Sequence, residues 1–276
     1  MLFCDLDLAA RIERAEAQLL LDACANVAHR LEDVLAAPVS GGVAAYTEVG
    51  SPLNKVCGLG FTAAFDEQAF EAIELEHARR GAAVQVELAT LADPKVAQWL
   101  TKRGYELVGV ENVLGRSLTP FTANAAPSDI RIVHSQAHEI DAWLDILVTG
   151  FATPDTQGVA AHQEFGRDVL ERVIRDFAQA ERVVRYCATI DGRHAGGGTM
   201  RMFDGIAQLC GASTLPALRR RGVQSALLDR RLADAARNGC SVAVVTTQPG
   251  SKSQQNVQRR GFELLYARNV LVREAR

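Results

Sequence analysis

The feature that most constrains this chain is an internal repeat relating its two halves. The first half closes with RGYEL at 103–107 and NVL at 112–114; the second closes with RGFEL at 260–264 and NVL at 269–271. Upstream, CG at 57–58 matches CG at 210–211. Chance supplies one such match but not all of them in the same order. A repeated supersecondary unit predicts a duplicated α/β fold.

The closing part of each half carries the same order of predicted elements: helix, strand, short helix, strand. Glycine follows the first helix in both halves, at Gly81 and at Gly239, as is typical of a helix C-terminus. The predicted elements are a helix at 66–80, a strand at 82–88 and a helix at 94–102 in the first half, and a helix at 223–237, a strand at 240–246 and a helix at 251–259 in the second.

The opening part of each half contains predicted helices. Residues 6–35 have apolar side chains at helical spacing, whereas the second half starts with a strand at 130–133. Helices at 139–148 and 162–180 follow, and then strands at 183–190, 194–202 and 206–212, joined by Asp-Gly turns. The pattern predicts a mixed α/β sheet with helices on both faces. A proline-containing stretch at 119–128 indicates a linker between domains at 1–118 and 129–276.

Composition narrows the class of protein. The chain has 276 residues, 48% hydrophobic and 23% charged, with a formal net charge of −3. This is typical of a soluble globular protein and predicts no nucleic-acid or membrane partner. The six cysteines are isolated, and the N-terminus has two early acids and no basic leader. We therefore expect a cytoplasmic protein without a metal site or a secretory signal.

The loop at 214–222 carries the strongest functional signal. Pro216 ends strand pairing, three arginines occupy 219–221, and Gly222 leads directly into the helix at 223–237. The unpaired amides and positive dipole of a helix N-terminus favour a phosphate, and glycine allows close approach of the ligand. The Lys-Ser/Thr of a P-loop and the further glycines of a dinucleotide fingerprint are missing.

This segment resembles a known family. RRRGVQ at 219–224 is similar to the Gln/Arg-x-x-Gly-x-Gly/Ala signature of the GNAT superfamily of acyl-CoA N-acyltransferases, with Gln224 in place of the last small residue. TLP at 214–216, LL at 227–228, GF at 261–262 and QPGSKSQQN at 248–256 extend the likeness. It covers about 129–273 and reaches the first half only through the repeat. It implies tandem GNAT-like domains with a degenerate N-terminal copy, each a mostly antiparallel sheet whose central parallel strands splay apart.

The resemblance further implies acetyl-CoA, or another acyl-CoA, as co-substrate, with no metal. Its pyrophosphate would lie on the loop and its pantetheine along the strand that ends at Thr214. The coenzyme-binding residues implied are Ser213, Thr214, Leu215, Arg219, Arg220, Arg221, Gly222, Val223, Gln224, Ser225, Ala226, Ser253 and Asn256.

The first half lacks the arginine–glycine loop. Asp66 and Glu67 begin the corresponding helix there. At ~4 Å and an effective dielectric of 20, each carboxylate would repel a phosphate charge by roughly 4 kcal/mol. We predict that the first half does not bind coenzyme A. It would pack on the second half, wall the acceptor pocket or form a dimer contact.

The candidates for the catalytic acid and base lie outside the loop at 214–222. Many family members use a tyrosine as the acid for the leaving thiolate, but the matching position holds Val257, so Tyr266 and Tyr186 are substitutes. His162 and Glu164 are candidates for the rim of the acceptor site and the base. Ordinary half-buried strand tyrosines, and a helix start with a favourable acid in its first turn, are the alternative explanations for these four residues.

Two strand features complete the prediction. Gln208 occupies the position where some members keep a catalytic glutamate, and it cannot act as a base. The glycines at 196–198 indicate close approach of either a neighbouring segment or the acceptor.

We therefore expect an N-acyltransferase that moves an acetyl or short acyl group from acyl-CoA directly to a primary amine of a small molecule or peptide, with a homodimer possible. A non-catalytic acyl-CoA-binding or regulatory module is the alternative. A structural protein without cofactor is a third interpretation.

Overall fold

A computed structural model describes residues 1–122, 129–153, 157–159 and 164–275. Seven α-helices are described: α1 Leu6–Val27, α2 Glu67–Arg79, α3 Pro94–Lys102, α4 Ile140–Phe151, α5 Arg167–Ala178, α6 Val223–Arg237 and α7 Lys252–Gln258. The described strands are β1 Leu35–Val39, β2 Gly42–Tyr46, β3 Lys55–Cys57, β4 Val84–Ala89, β5 Glu106–Ser117, β6 Ile130–His134, β7 Val183–Ile190, β8 Arg193–Phe203, β9 Ile206–Thr214, β10 Val242–Thr247 and β11 Glu263–Arg273.

Local sequence signals account for most helix boundaries. Asp5 caps α1 by accepting from the Leu8 amide at 2.9 Å, and Asp93 accepts from the Lys95 amide at 2.9 Å with Pro94 in the first turn of α3. These caps satisfy amides that have no partner inside the helix. The predicted bounds of α3 and α6 agree with the structure, and the mixed α/β class is confirmed.

The strands form one continuous sheet of the order β1-β2-β3-β4-β11-β5-β10-β9-β8-β7-β6. The last strand of each half lies within the other half. β5 of the first half pairs antiparallel with β10 and β11, and β11 of the second half pairs antiparallel with β4 and β5. The duplicated units are thus joined by a reciprocal exchange of their closing strands, which the sequence repeat did not reveal. Most of the predicted linker, at 123–128, lies outside the described residues.

The opening of the first half differs from the prediction. The helix expected at 6–35 ends at Val27, and three unpredicted strands, β1 to β3, follow it. β1 has the sequence LAAPV, whose alanines carry no strand signal. Pro38 fits there because β1 is an edge strand of the sheet.

The helices cover both faces of the sheet. On one face α1 packs through Leu8 and Ile12 against strand residues of both halves, including Val113, Ile206 and Val244. On the opposite face α6 packs through Leu227 and Leu232 against Ala207, Leu209 and Leu114. α4 and α5 share the α1 face, where Trp143 donates from Nε1 to the Tyr186 carbonyl at 3.0 Å. The first helix of the chain therefore lies beside the central strands of the second half.

We expect the two halves to unfold together. Separating them would break the β5–β10 and β4–β11 ladders at once and expose the apolar surface beneath α1. Differential scanning calorimetry should show a single transition whose calorimetric and van't Hoff enthalpies agree. Two resolved transitions would contradict the reciprocal exchange.

None of the helices described is both long enough and apolar enough to span a membrane.

Candidate active site

The central feature of the site is a gap between the parallel strands β9 and β10. Beyond Gln208 and Val244 the strands separate, since β9 continues to Thr214 beside β8 and β10 continues to Thr247 beside β5. The gap therefore opens from a vertex at Gln208 and Val244. Before the vertex, the paired positions of the two strands are Ile206 with Val242, Ala207 with Ala243, and Gln208 with Val244.

An irregularity in β9 shapes one side of the gap. The β8–β9 register shifts between Gly198 and Thr199, and Gly211 on β9 has φ +33° at this point. Such a bulge bends a strand and re-aims its side chains. β9 therefore turns away from β10 on its way to Thr214.

The end of β9 is where the resemblance places the pantetheine arm. The Ser213 hydroxyl donates to the Ile146 carbonyl at 3.1 Å, and the Leu215 amide donates to the Ala195 carbonyl at 2.9 Å. Both donors are therefore already engaged in hydrogen bonds within the protein. The Thr214 hydroxyl, in contrast, is buried without a hydrogen-bond partner among the residues described.

The gap leads to the N-terminus of α6. A short 3-10 turn at Pro216–Leu218 follows β9, and Gly222 precedes the helix in the left-handed conformation with φ +89°. No side chain caps α6, and the Ala226 amide donates to the Gly222 carbonyl at 3.0 Å. The amides of residues 223–225 are thus the ones available to an anion, and the predicted coenzyme contact of Ala226 stays a prediction.

The three loop arginines differ in their contacts. The Arg219 guanidinium donates to the carbonyls of Gly150, Thr153 and Thr214 at 3.1, 2.5 and 3.4 Å. It braces the loop against the end of α4, and its predicted contact with the coenzyme stays a prediction. Arg220 is exposed, and its backbone is left-handed with φ +63°. Arg221 lies 3.5 Å from the Asp129 carboxylate.

The short helix α7 flanks the other side of the gap. Ser251 caps it by accepting from the Gln254 amide at 3.2 Å. Ser253 is exposed and Asn256 is half-buried, and their predicted coenzyme contacts stay predictions. Val257 is buried in the core on the α6 side, so this position presents no acid to the gap.

In the first half, the N-terminus of the corresponding helix, α2, is capped by a side chain of the chain itself. Asp66 accepts from the Ala69 amide at 3.0 Å, and Glu67 lies in the first turn of α2. Capping by an acid occupies an amide and adds negative charge where a phosphate would lie. This arrangement supports the prediction that the first half does not bind coenzyme A.

A cavity of about 420 Å³ lies at the vertex of the gap. Both strands contribute to it, through Cys210 and Gly211 on one side and Val245 and Thr246 on the other. Apolar side chains from α1, α4, α5 and the β2–β3 loop form most of its wall: Ile12, Leu19, Leu20, Leu53, Trp143, Leu147, Phe151, Ile174 and Phe177. Residues of the first half therefore form part of the cavity wall, and its role in walling the acceptor pocket stays a prediction.

A charged cluster lies beneath the cavity, composed of Glu13, Glu16, Lys55, Glu87 and Arg268. The Lys55 ammonium lies 3.1 Å from Glu16 and 2.9 Å from Glu87, and Arg268 lies 2.9 Å from Glu13 and 3.8 Å from Glu16. Burial alone raises the pKa of Glu16, but Lys55 and Arg268 outweigh it and lower that pKa to about 2. Glu16 is therefore ionised at neutral pH.

Glu16 also reaches the vertex itself. The Gln208 side-chain amide donates to the Glu16 carboxylate at 3.4 Å, and both residues line the cavity. Gln208 cannot act as a base, but a carboxylate from α1 of the first half lies directly against it. Glu13 and Glu16 are one helical turn apart on α1, among apolar residues. Two acids on the apolar face of a helix were the sequence signal that could have indicated them.

Glu111 adds a further carboxylate. It is half-buried on β5 opposite Arg268 in the β5–β11 register, two residues from Val113, which lines the cavity. Residues two apart on a strand point to the same face. Burial and the nearby Glu87 raise the pKa of Glu111 to about 7, against the opposing effects of Lys55 and Arg268. A carboxyl with this pKa can accept or release a proton at neutral pH.

We expect Glu111→Gln to change how stability depends on pH. The folded-state pKa lies above the ordinary value of 4.5, so the stabilising contribution of this carboxyl is present below pH ~4.5 and is lost as the pH rises to about 7. The free energy of unfolding of the wild type, minus that of the variant, should fall across this window in urea denaturation. Glu106→Gln, an exposed position on the same strand, is the control. Identical profiles for both variants would contradict the assignment.

The predicted catalytic residues lie elsewhere. Tyr266 is buried and donates to Glu13 at 2.6 Å; burial and that carboxylate raise its pKa well above 10. Tyr186 is buried with its ring 5.0 Å from that of His134. Glu164 is exposed ahead of α5, and His162 lies outside the described residues. None of the three described residues lines the cavity, and their catalytic roles stay predictions.

The glycine run on β8 is explained by the protein's own packing. A Cβ at Gly196 would lie 2.8 Å from the Val223 side chain, and one at Gly197 would lie 2.9 Å from Leu147 and 3.0 Å from the Trp143 indole nitrogen. The close neighbours are therefore α4 and α6. Across the described ranges, no group of three or more His, Cys, Asp or Glu side chains is placed to hold a metal ion.

Comparisons with known proteins agree with this architecture. Residues 149–262 match the model of the family described as Acetyltransferase (GNAT) family. A GCN5-related N-acetyltransferase from Kribbella flavida superposes with a TM-score of 0.69 at 18% identity, covering 96% of this chain and 95% of that one. A tandem GNAT protein from the clavulanic acid biosynthesis pathway gives a TM-score of 0.60 at 13% identity, covering 87% and 81%. A comparison with curated protein sequences gave no match.

Both the family match and the fold similarity of the whole chain are to acetyltransferases. Residues 149–262 match the GNAT family model, and the chain as a whole has the same fold as the GCN5-related N-acetyltransferase and the tandem GNAT protein on which it superposes.

Proposed function

We propose that this protein is an N-acyltransferase that moves an acetyl or short acyl group from acyl-CoA directly to a primary amine. The observation that carries the proposal is the gap between β9 and β10, which has the cavity at its vertex and is followed, past the end of β9, by the uncapped N-terminus of α6. An elongated molecule with a diphosphate at one end and a thioester at the other fits such a path.

The residues along the gap suit acyl-CoA. The amides of residues 223–225 and the positive end of the α6 dipole would bind the pyrophosphate, with Arg220 and Arg221 adding positive charge. The buried Thr214 hydroxyl has no partner among the described residues and is available to the pantetheine. The thioester would then lie near the vertex, between Cys210 and Thr246.

In the reaction the amine nitrogen attacks the thioester carbonyl, a C–N bond forms, and the C–S bond breaks with its electron pair leaving on sulfur. An ammonium substrate must first lose one proton, and the thiolate takes up another. Glu16 remains ionised near the vertex and stabilises positive charge on the amine. Glu111, whose pKa is about 7, is the carboxyl best matched to accept a proton at neutral pH.

Direct transfer fits the chemistry of the cysteine beside the cavity. Burial raises the pKa of Cys210 to about 12, so its thiol is protonated at neutral pH. A protonated thiol is a poor nucleophile for acyl transfer through the enzyme. We therefore expect intact-protein mass spectrometry after incubation with acetyl-CoA to show no acetylated Cys210. A stoichiometric adduct that an amine then discharges would contradict direct transfer.

Two measurements test the proposal. Coenzyme A at about 100 times its dissociation constant should stabilise the protein by ~2.7 kcal/mol in thermal unfolding. Thiol release from acetyl-CoA should then depend on an added amine. Absence of both effects would refute the proposal.

A non-catalytic acyl-CoA-binding module is the second candidate. Buried Val257 and the Tyr266–Glu13 hydrogen bond leave no tyrosine at the gap among the described residues. Tight coenzyme binding without thiol release for any amine, including at high pH, would favour this candidate. The cytoplasmic location and a homodimer remain proposals, the latter testable by light scattering.

A further inference from the structure

The cavity at the vertex has two chemically different parts. Its wall is apolar and includes Leu20, Trp143 and Phe177, whereas its floor carries Glu16 from α1 and Gln208 and Thr246 from the sheet. A volume of about 420 Å³ is in the range of small-molecule sites. Such a cavity selects a compact ligand with an apolar body and one polar end.

The floor has an excess of negative charge. Three carboxylates, Glu13, Glu16 and Glu87, face two cations, Lys55 and Arg268, and Glu111 adds another carboxyl. The neighbouring Asp22 and Arg201 pair with each other, and the buried Arg231 donates to the carbonyls of Leu227 and Thr199 without lining the cavity itself. A cationic ligand would compensate the excess, whereas an anionic ligand would increase it.

Both cations on the floor are already engaged by carboxylates. Lys55 bonds to Glu16 and Glu87, and Arg268 bonds to Glu13. A carboxylate on the ligand would therefore be buried without a free cationic partner among the described lining residues, which is strongly unfavourable.

We propose, on the basis of the acyltransferase function above, that the acceptor is a small cationic amine on an apolar body without a carboxylate. Glu16 of the first half receives its ammonium group at the vertex of the gap. The N-terminal half thus supplies the anionic group that the second half lacks at Gln208, and it determines acceptor specificity.

Two probes that differ by one carboxylate test the substrate class. We expect 2-phenylethylamine to be acetylated with a kcat/KM roughly 100-fold or more above that of phenylalanine, because only the latter buries an unpaired carboxylate. Equal values, or a preference for phenylalanine, would overturn the proposal. Turnover of peptide amines without turnover of 2-phenylethylamine would overturn it too, while leaving the acyltransferase function intact.

A pair of variants tests the role of Glu16. Glu16→Gln should raise the KM for 2-phenylethylamine roughly 10-fold or more and leave coenzyme A affinity unchanged. Asp22→Asn is the matched control because it also removes a half-buried ion-pair carboxylate from α1, but Asp22 does not line the cavity. Its KM should stay within about 2-fold of the wild type. Equal effects in the two variants would overturn the assignment.

Equilibrium binding tests the amine site at Glu16 separately from the acyltransferase function. Calorimetric titration with 2-phenylethylamine should detect binding that Glu16→Gln weakens, whether or not turnover occurs. If coenzyme A neither binds nor reacts, the proposed function fails, whatever the amine result. If the Glu16 variant does not fold, the comparison of the two probes on the wild type still decides the substrate class.

Discussion

Replacing Gly222 by Asp is expected to weaken coenzyme A binding by about 10³-fold while the protein stays folded. The new carboxylate would lie at the N-terminus of α6, beside the amides proposed to bind the pyrophosphate. Two like charges at ~4 Å and an effective dielectric of 20 repel by roughly 4 kcal/mol, which corresponds to this loss. Asp tolerates the left-handed backbone better than most residues, so the fold should persist.

Gly222→Asn is the matched control because its side chain has nearly the same shape and the same backbone tolerance but no charge. Titration calorimetry measures both affinities, and circular dichroism verifies the fold. The Gly222→Asp variant should bind coenzyme A much more weakly than the Gly222→Asn variant. Equal affinities for the two variants would show that the anion does not lie at this helix terminus.

Replacing Arg268 by Met should lower the free energy of unfolding by about 3–5 kcal/mol. Arg268 is 1% exposed and lies 2.9 Å from Glu13, which is also 1% exposed. Removing the guanidinium leaves the Glu13 charge buried without its cation, which is far more costly than the pair itself is stabilising. Urea denaturation monitored by circular dichroism measures the loss.

The double variant Glu13→Gln with Arg268→Met separates the two contributions. With both charges removed, we expect recovery of at least half of the lost stability, since the neutral amide still accepts from Tyr266. A loss below about 1 kcal/mol for Arg268→Met alone would contradict the interpretation that Glu13 has no other cation to compensate its buried charge.

The sequence predicted the elements whose signals are local. Asp93 and Pro94 begin α3, and Gly222 precedes α6, so a short segment contains the information for each boundary. The loop at 214–222 was likewise predictable, because a strand end, a glycine and a helix start follow one another closely in the chain. The repeat correctly indicated two related units.

What the sequence did not indicate depends on distant contacts. β1 to β3 have weak local signals and are stabilised by pairing, and the exchange of β5 and β11 depends on the sheet as a whole. The sequence also did not indicate that the Arg219 guanidinium donates to carbonyls at the end of α4, 69 and 66 positions earlier in the chain.

The sequence alone determined the α/β class, the duplication and the position of the proposed anion-binding loop, because short-range spacing and backbone preferences specify these. Only the tertiary structure decided which carboxylates meet the cavity. Glu13 and Arg268 are 255 positions apart, and Glu16 and Gln208 are 192 apart. Charges that are this far apart in the chain form a site only when folding brings them together. Burial then reduces the solvent screening between them.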